Sequence, residues 1–229
     1  MNSDKYAGTC YMYWPTSCLG DYGRGATISY FPKGGSHENF AQTLHHEALG
    51  HGFAKLADEY SYEELGYVPS PYKSEIQSQQ SSWGWWKNVD FTSDPTQVKW
   101  SKFLNDERYA NEGLGCFEGG LTYWRGVWRP TDYSIMRYNT GGFNAPSREA
   151  IWYRIHKLAY GEDWQYNYED FVAYDAINRT PAAQAASRAK VAKAAAALKG
   201  KPFQPLHEPV IIKRSWKDAV NNSGNNDGR

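Results

Sequence analysis

Apolar and polar positions alternate or recur in distinct stretches along the chain. Thr9–Trp14 and Ala26–Phe31 are short runs rich in aromatic and β-branched residues, the composition of strands, with a turn at Gly20–Gly25 between them. Pro32–Ser36 breaks the chain. From Glu38 to Ala57 the period changes: Phe40, Leu44, Ala48 and Leu49 recur at three- and four-residue spacing, which predicts a helix capped by Ser36 or Asn39. Gly66–Ser82, dense in Ser and Gln, reads as a loop, and Asp90–Pro95 as a turn. Gln97–Tyr109 reads as a helix with Val98, Phe103 and Leu104 on one side. The glycines of Gly113–Gly126 predict a loop or short hairpin. Pro146–Tyr160 is a helix with an Ile151, Ile155, Leu158 stripe. Pro181–Lys199 is alanine-rich and strongly helix-forming, followed by a Pro-containing linker, a short strand at Val210–Ile212 and a polar tail at Asn221–Arg229 read as disordered.

This alternation predicts an α+β fold divided into a domain over residues 1–180 and a helical appendage with its tail over 181–229. The chain has 229 residues, enough for a buried core without covalent staples. Its 25 basic and 25 acidic residues leave no net field that would favour nucleic acid or an anionic membrane. No apolar run reaches membrane-spanning length, and Met1–Tyr6 carries no export signal. Three cysteines make no disulfide framework; Cys10 and Cys18 are close enough in sequence to pair, and Cys116 is left over. The 10 Trp, 18 Tyr and 9 Phe exceed what a core of this size needs, so some line a surface or groove.

The chemistry concentrates in His46-Glu47-Ala48-Leu49-Gly50-His51. Zinc peptidases carry H-E-x-x-H on a helix, two ligands on one face with the glutamate beside the first acting on a water. Here the histidines are five apart. On a regular helix that spacing turns their side chains roughly 140° away from each other. A π-type bulge, holding one more residue in its turn, would bring them together, and Gly50 is placed to ease it. The rival pairing is Glu47 with His51, four apart and on one face of an undistorted helix. Seven residues beyond His51, Asp58 offers a carboxylate as third ligand, with Glu59 as the alternative or as a supporting partner. His37, His156 and His207 read as structural. No nucleophile elbow or phosphate-binding loop is present.

The stretch from His46 to Tyr60 resembles the active-site signature of the IgA-peptidase family of bacterial metallopeptidases. So do Cys116-Phe117-Glu118-Gly119-Gly120, Gly126-Val127-Trp128-Arg129-Pro130-Thr131, Ser134-Ile135-Met136-Arg137 and Phe143-Asn144-Ala145-Pro146-Ser147-Arg148-Glu149-Ala150-Ile151, so that the likeness runs over residues 7 to 175. It implies a metzincin-like zinc peptidase domain with His46, His51 and Asp58 on zinc, Glu47 as general base and Met136 packed beneath the metal. The usual metzincin spacing falls on Ala54 and Ala57, one residue short of Asp58. A looser likeness is to dipeptidyl-peptidase-III-type enzymes, which share the longer histidine spacing. The resemblance also implies a protein or peptide substrate and an exported protein, secreted, periplasmic or on the cell surface. Metzincin-like domains build more strands ahead of the active-site helix than the two expected here, so the sequence reads as lacking upstream strands. The competing reading is a non-catalytic module that binds peptide or glycan in an aromatic groove. Arg137 and Arg148 are candidates for orienting a substrate, against the plainer expectation that they pair with carboxylates such as Glu149.

Overall fold

The computed structural model describes the backbone of residues 6–13, 26–32 and 37–199, and side chains from 41 to 199. The architecture is α+β, as the alternation of periods implies. Strands β1 (Tyr6–Tyr13) and β2 (Ala26–Pro32) form an antiparallel hairpin, where the sequence placed two strands. Helix α1 (His37–Leu44) passes without a break into a π-helical segment, His45–Phe53, against which the hairpin packs. The sequence-based helix over Glu38–Ala57 exists as far as Phe53, four residues short of its expected end, with Asn39 inside it rather than capping it and its second half wound as π rather than α.

A second sheet has the order β3-β5-β4, built from β3 (Ser61–Tyr67), β4 (Phe117–Gly120) and β5 (Thr122–Arg129). β4 and β5 make the short hairpin expected of the glycine-rich stretch, and β3 joins β5 in parallel. Gly119 has φ +103, and a Cβ there would lie 2.6 Å from Ser61 Oγ, so only glycine lets the hairpin close against β3.

Two segments differ from the sequence reading. Gly66–Ser82 is not a loop: it holds the end of β3 and then α2 (Ser70–Trp83). Glutamine is a good helix former, Pro71 sits in the first turn where a missing N–H costs nothing, and Gly84 ends the helix at φ +64. What fixes it is packing of Ile76, 1% exposed, and the amides of Gln79 and Gln80, bonded to Trp86 Nε1 and to the Trp86 and Val89 carbonyls. Conversely, Gln97–Tyr109 is not one helix. It contains α3 (Ser101–Leu104) and the start of a 3₁₀ turn, Glu107–Glu112. Asp106 separates them by accepting a hydrogen bond from the Arg108 amide, a cap that starts a new element. Val98, Phe103 and Tyr109 still reach one core, shared with Trp100, Trp152 and Phe171.

The remaining helices are α4 (Ile135–Tyr138), α5 (Ala145–Tyr160), α6 (Tyr168–Tyr174) and α7 (Pro181–Leu198). Asn144 caps α5, its side chain accepting from the Ser147 amide at 3.2 Å. The alanine-rich α7 lies where composition put it, buries Val191, and reaches the domain through Gln184 to Glu112. The Cys10–Cys18 pairing, the linker, the Val210–Ile212 strand, the tail and His207 lie outside the described residues or side chains. No helix among the described residues is long and apolar enough to cross a membrane.

Candidate metal centre

The π winding is the local event on which the site depends. Ala54 N–H donates to the Leu49 carbonyl at 2.9 Å, five residues back, so one extra residue is held in the turn. The consequence is that His46 and His51, which a regular helix would splay apart, bring their rings to a centroid distance of 4.9 Å. Gly50 serves this differently from the expected backbone permissiveness. Its φ lies outside the left-handed region, and the reason for glycine is contact: a Cβ would stand 2.5 Å from Met136 Sδ.

Beyond Phe53 the chain leaves the helix, with Lys55 at φ 55, and turns back so that Asp58 meets both rings. Asp58 Oδ1 lies 3.1 Å from His46 Nε2 and 3.0 Å from His51 Nε2, and the two nitrogens are 3.1 Å apart. These are the side chains in the described structure whose donor atoms cluster tightly enough to hold one metal ion. A tetrahedral zinc with bonds of about 2.05 Å sets its ligand atoms about 3.3 Å apart, only a few tenths of an ångström wider than this triangle. The donor set therefore fits such an ion.

The protonation pattern makes the same point. His46 Nδ1 is bonded to the Ile135 carbonyl at 2.8 Å and His51 Nδ1 to the Leu56 carbonyl at 2.7 Å. A carbonyl can only accept, so each Nδ1 carries the hydrogen and each neutral ring turns a bare Nε2 inward. Two lone pairs and a carboxylate oxygen then face one another, an arrangement that calls for a cation among them, whether proton or metal. Without a metal, the demand falls on His51. Burial disfavours its charge, but the Asp58 carboxylate and the hydrogen bonds to Asp58 and Leu56 outweigh burial and push it up to about 9. Asp58 is held well below the usual carboxylate range, burial being overcome by the two histidines. His46 is 1% exposed and His51 19%, so access is from the His51 side.

Glu47 stands outside the donor triangle, half-buried, near enough for its charge to act on His51 and Tyr60. The rival Glu47–His51 pairing on a regular helix does not form, because the segment is not a regular helix. Glu59 lies outside that donor cluster. It is fully buried and turned away, accepting hydrogen bonds from Asn88 Nδ2 (2.9 Å), Ser134 Oγ (2.6 Å) and Asn144 Nδ2 (2.9 Å). Burial raises its pKa, against those three donors and Arg129. Its amide donates to the Met136 carbonyl at 2.9 Å, so Glu59 pins the ligand loop to α4 and the start of α5. Tyr60 is buried against Tyr62 and reaches Asp58.

Met136 is fully buried below the π segment with Ala54, Leu56, Ile135 and Ala150. Arg137 pairs with Asp132 and Arg148 with Glu112 and Asp175. The plainer expectation held for them, although Glu149 is not the partner: it pairs with Lys102. His156 is bonded to Trp152 within α5. Asn88 went unnoticed in the sequence. Its amide brackets Ala57, accepting from the N–H and donating to the carbonyl, both at 2.8 Å, and so fixes the residue before Asp58. No periodicity or motif marks it.

In this α+β domain His46, His51 and Asp58 are close enough together to hold a single metal ion. No family model matches the chain and no curated protein matches it.

Proposed function

We propose that the chain is a zinc-dependent peptidase, of the metzincin-like kind, acting outside the cytoplasm as the resemblance to the exported IgA-peptidase family suggests. The observation that carries this is the convergence of three acceptor atoms from His46, His51 and Asp58 at 3.0–3.1 Å, with a glutamate next to the first histidine. The buried Met136 beneath the π segment supports the metzincin-like architecture.

Zinc at this centre would supply Lewis-acid polarisation of a scissile carbonyl and a water acidic enough to react near neutral pH. The chain's own groups do the rest. The Ile135 and Leu56 carbonyls hold both imidazoles in the tautomer that presents Nε2, and Asp58 adds one negative charge. Glu47 takes the proton of the attacking water on its carboxylate and delivers it to the departing amine nitrogen. Solvent and peptide enter on the side where His51 is open.

Metal analysis of the purified chain, with His46→Ala, His51→Ala and Asp58→Ala beside it, tests the centre. One zinc per chain is expected, lost in each variant. Glu47→Gln is expected to retain zinc and to lose hydrolysis of an unfolded protein substrate by about 10²-fold or more. A chain that binds no metal, or a Glu47→Gln variant with full activity, overturns the proposal.

A further inference from the structure

A cavity of about 320 Å³, beside the end of α2 and the first turns of α5, is lined in part by Trp85, Lys87, Lys99, Lys102, Pro146 and Glu149. Three ammonium groups in one small cavity repel one another unless they are balanced. Two are: Lys99 Nζ lies 2.9 Å from Asp90 Oδ2, and Lys102 is paired with Glu149, which also accepts from the Tyr166 hydroxyl. Lys87 is different. It is half-buried, has no carboxylate within ion-pair distance among the described residues, and holds its Nζ 4.3 Å over the Tyr153 ring. Three lysines against two carboxylates leave the cavity wall with one unbalanced positive charge. Burial, helped by the neighbouring Lys102 ammonium and opposed by the Glu149 carboxylate, lowers the pKa of the Lys87 ammonium.

A half-desolvated ammonium on a ring face gains most from an anion that brings its own oxygen acceptors. Trp85 and Pro146 add apolar surface beside it. The volume is at the lower end of small-ligand sites, which sets a limit of about one or two residues of peptide or an equivalent small molecule. We propose that this cavity binds the carboxylate of a small apolar acid or of a peptide C-terminus, with Lys87 as its ion-pair partner and Trp85 against its apolar body. The site is also connected to the metal centre. Trp86 N–H donates to the Lys55 carbonyl at 2.8 Å, and Asn88 brackets Ala57, both positions lying between the ligands His51 and Asp58. An occupant resting on Trp85 and Lys87 thus touches the segment that braces the ligand loop.

The test is calorimetric titration of the full chain with N-acetyl-phenylalanine and N-acetyl-glycyl-phenylalanine, each as free acid and as amide, with and without EDTA. The acids are expected to bind at least about tenfold more tightly than the amides, with or without EDTA. Lys87→Met should weaken the acids by about tenfold or more, and Lys87→Arg should restore most of the affinity. Tighter binding of the dipeptide assigns the site to a peptide terminus, and tighter binding of the single amino acid to a small acid. Equal affinity for acid and amide in the wild-type chain, no binding at roughly 10 mM, or binding that vanishes with EDTA overturns the proposal. None of these results bears on zinc stoichiometry, so the peptidase reading stands or falls separately.

Discussion

Gly50→Ala adds a single methyl group between the two histidine ligands. That methyl would lie 2.5 Å from Met136 Sδ and 3.0 Å from Cε, where carbon contacts normally settle at about 3.5–4.0 Å. The methionine cannot step aside easily. Its side chain is fully buried among Ile135, Leu56, Ala54 and Ala150, and its carbonyl is held by the Glu59 amide. Overpacking of this kind costs about 1–3 kcal/mol, while alanine in place of glycine in helical backbone returns about 0.5–1 kcal/mol. The expected net destabilisation is about 1–2 kcal/mol, measured by urea unfolding in EDTA so that metal does not contribute. Because relief of the clash moves the π segment against α4, which carries the carbonyl that orients His46, zinc affinity should fall by about 10-fold or more in a chelator competition. The cycle with Met136→Ala isolates the contact. Met136→Ala alone should cost about 2–5 kcal/mol, and in that background Gly50→Ala should be neutral or stabilising. If Gly50→Ala is as stable as wild type with unchanged zinc affinity, or if its cost is the same with and without Met136, the packing argument is wrong.

Other outcomes follow from the same geometry. Asn88→Ala removes both brackets on Ala57 and a donor to Glu59 in a fully buried setting, so urea unfolding should show a loss of at least about 2 kcal/mol. Arg148→Ala strands Asp175, which is fully buried, and Glu112, and should destabilise by about 3–5 kcal/mol in the same assay. In the metal-free chain, His51 is raised to about 9 from 6.5, so its contribution to stability is complete below pH 6.5 and is lost as pH rises towards 9. A melting temperature in EDTA that falls across that window, and falls less in His51→Gln, is expected; a flat profile would refute the assignment. Zinc should reverse the trend, because the ligands must shed their proton to bind it.

The sequence by itself located the chemistry. Residue type and spacing placed His46, Glu47, His51 and Asp58 within one short stretch, and the angular arithmetic of a helix required a distortion if the histidines were to meet. It also marked β1, β2, α5 and α7 as elements, but not the buried face of α5: of the Ile151, Ile155, Leu158 stripe Ile155 is exposed, and Ala145, Ala150 and Trp152 pack inward instead. Tertiary structure decided the rest. The π turn packs at Gly50 against Met136, some 86 positions away, and His46 is turned by the Ile135 carbonyl, bonded across 89 residues. Asp58 and Glu59 are adjacent carboxylates of similar chemistry; their roles part only because Asn88, Ser134 and Asn144 supply donors to one and two imidazoles face the other. α2 was hidden because its stability comes from burying Ile76 and from the amides of Gln79 and Gln80 bonding to Trp86 and Val89 just beyond the helix, contacts that composition does not encode.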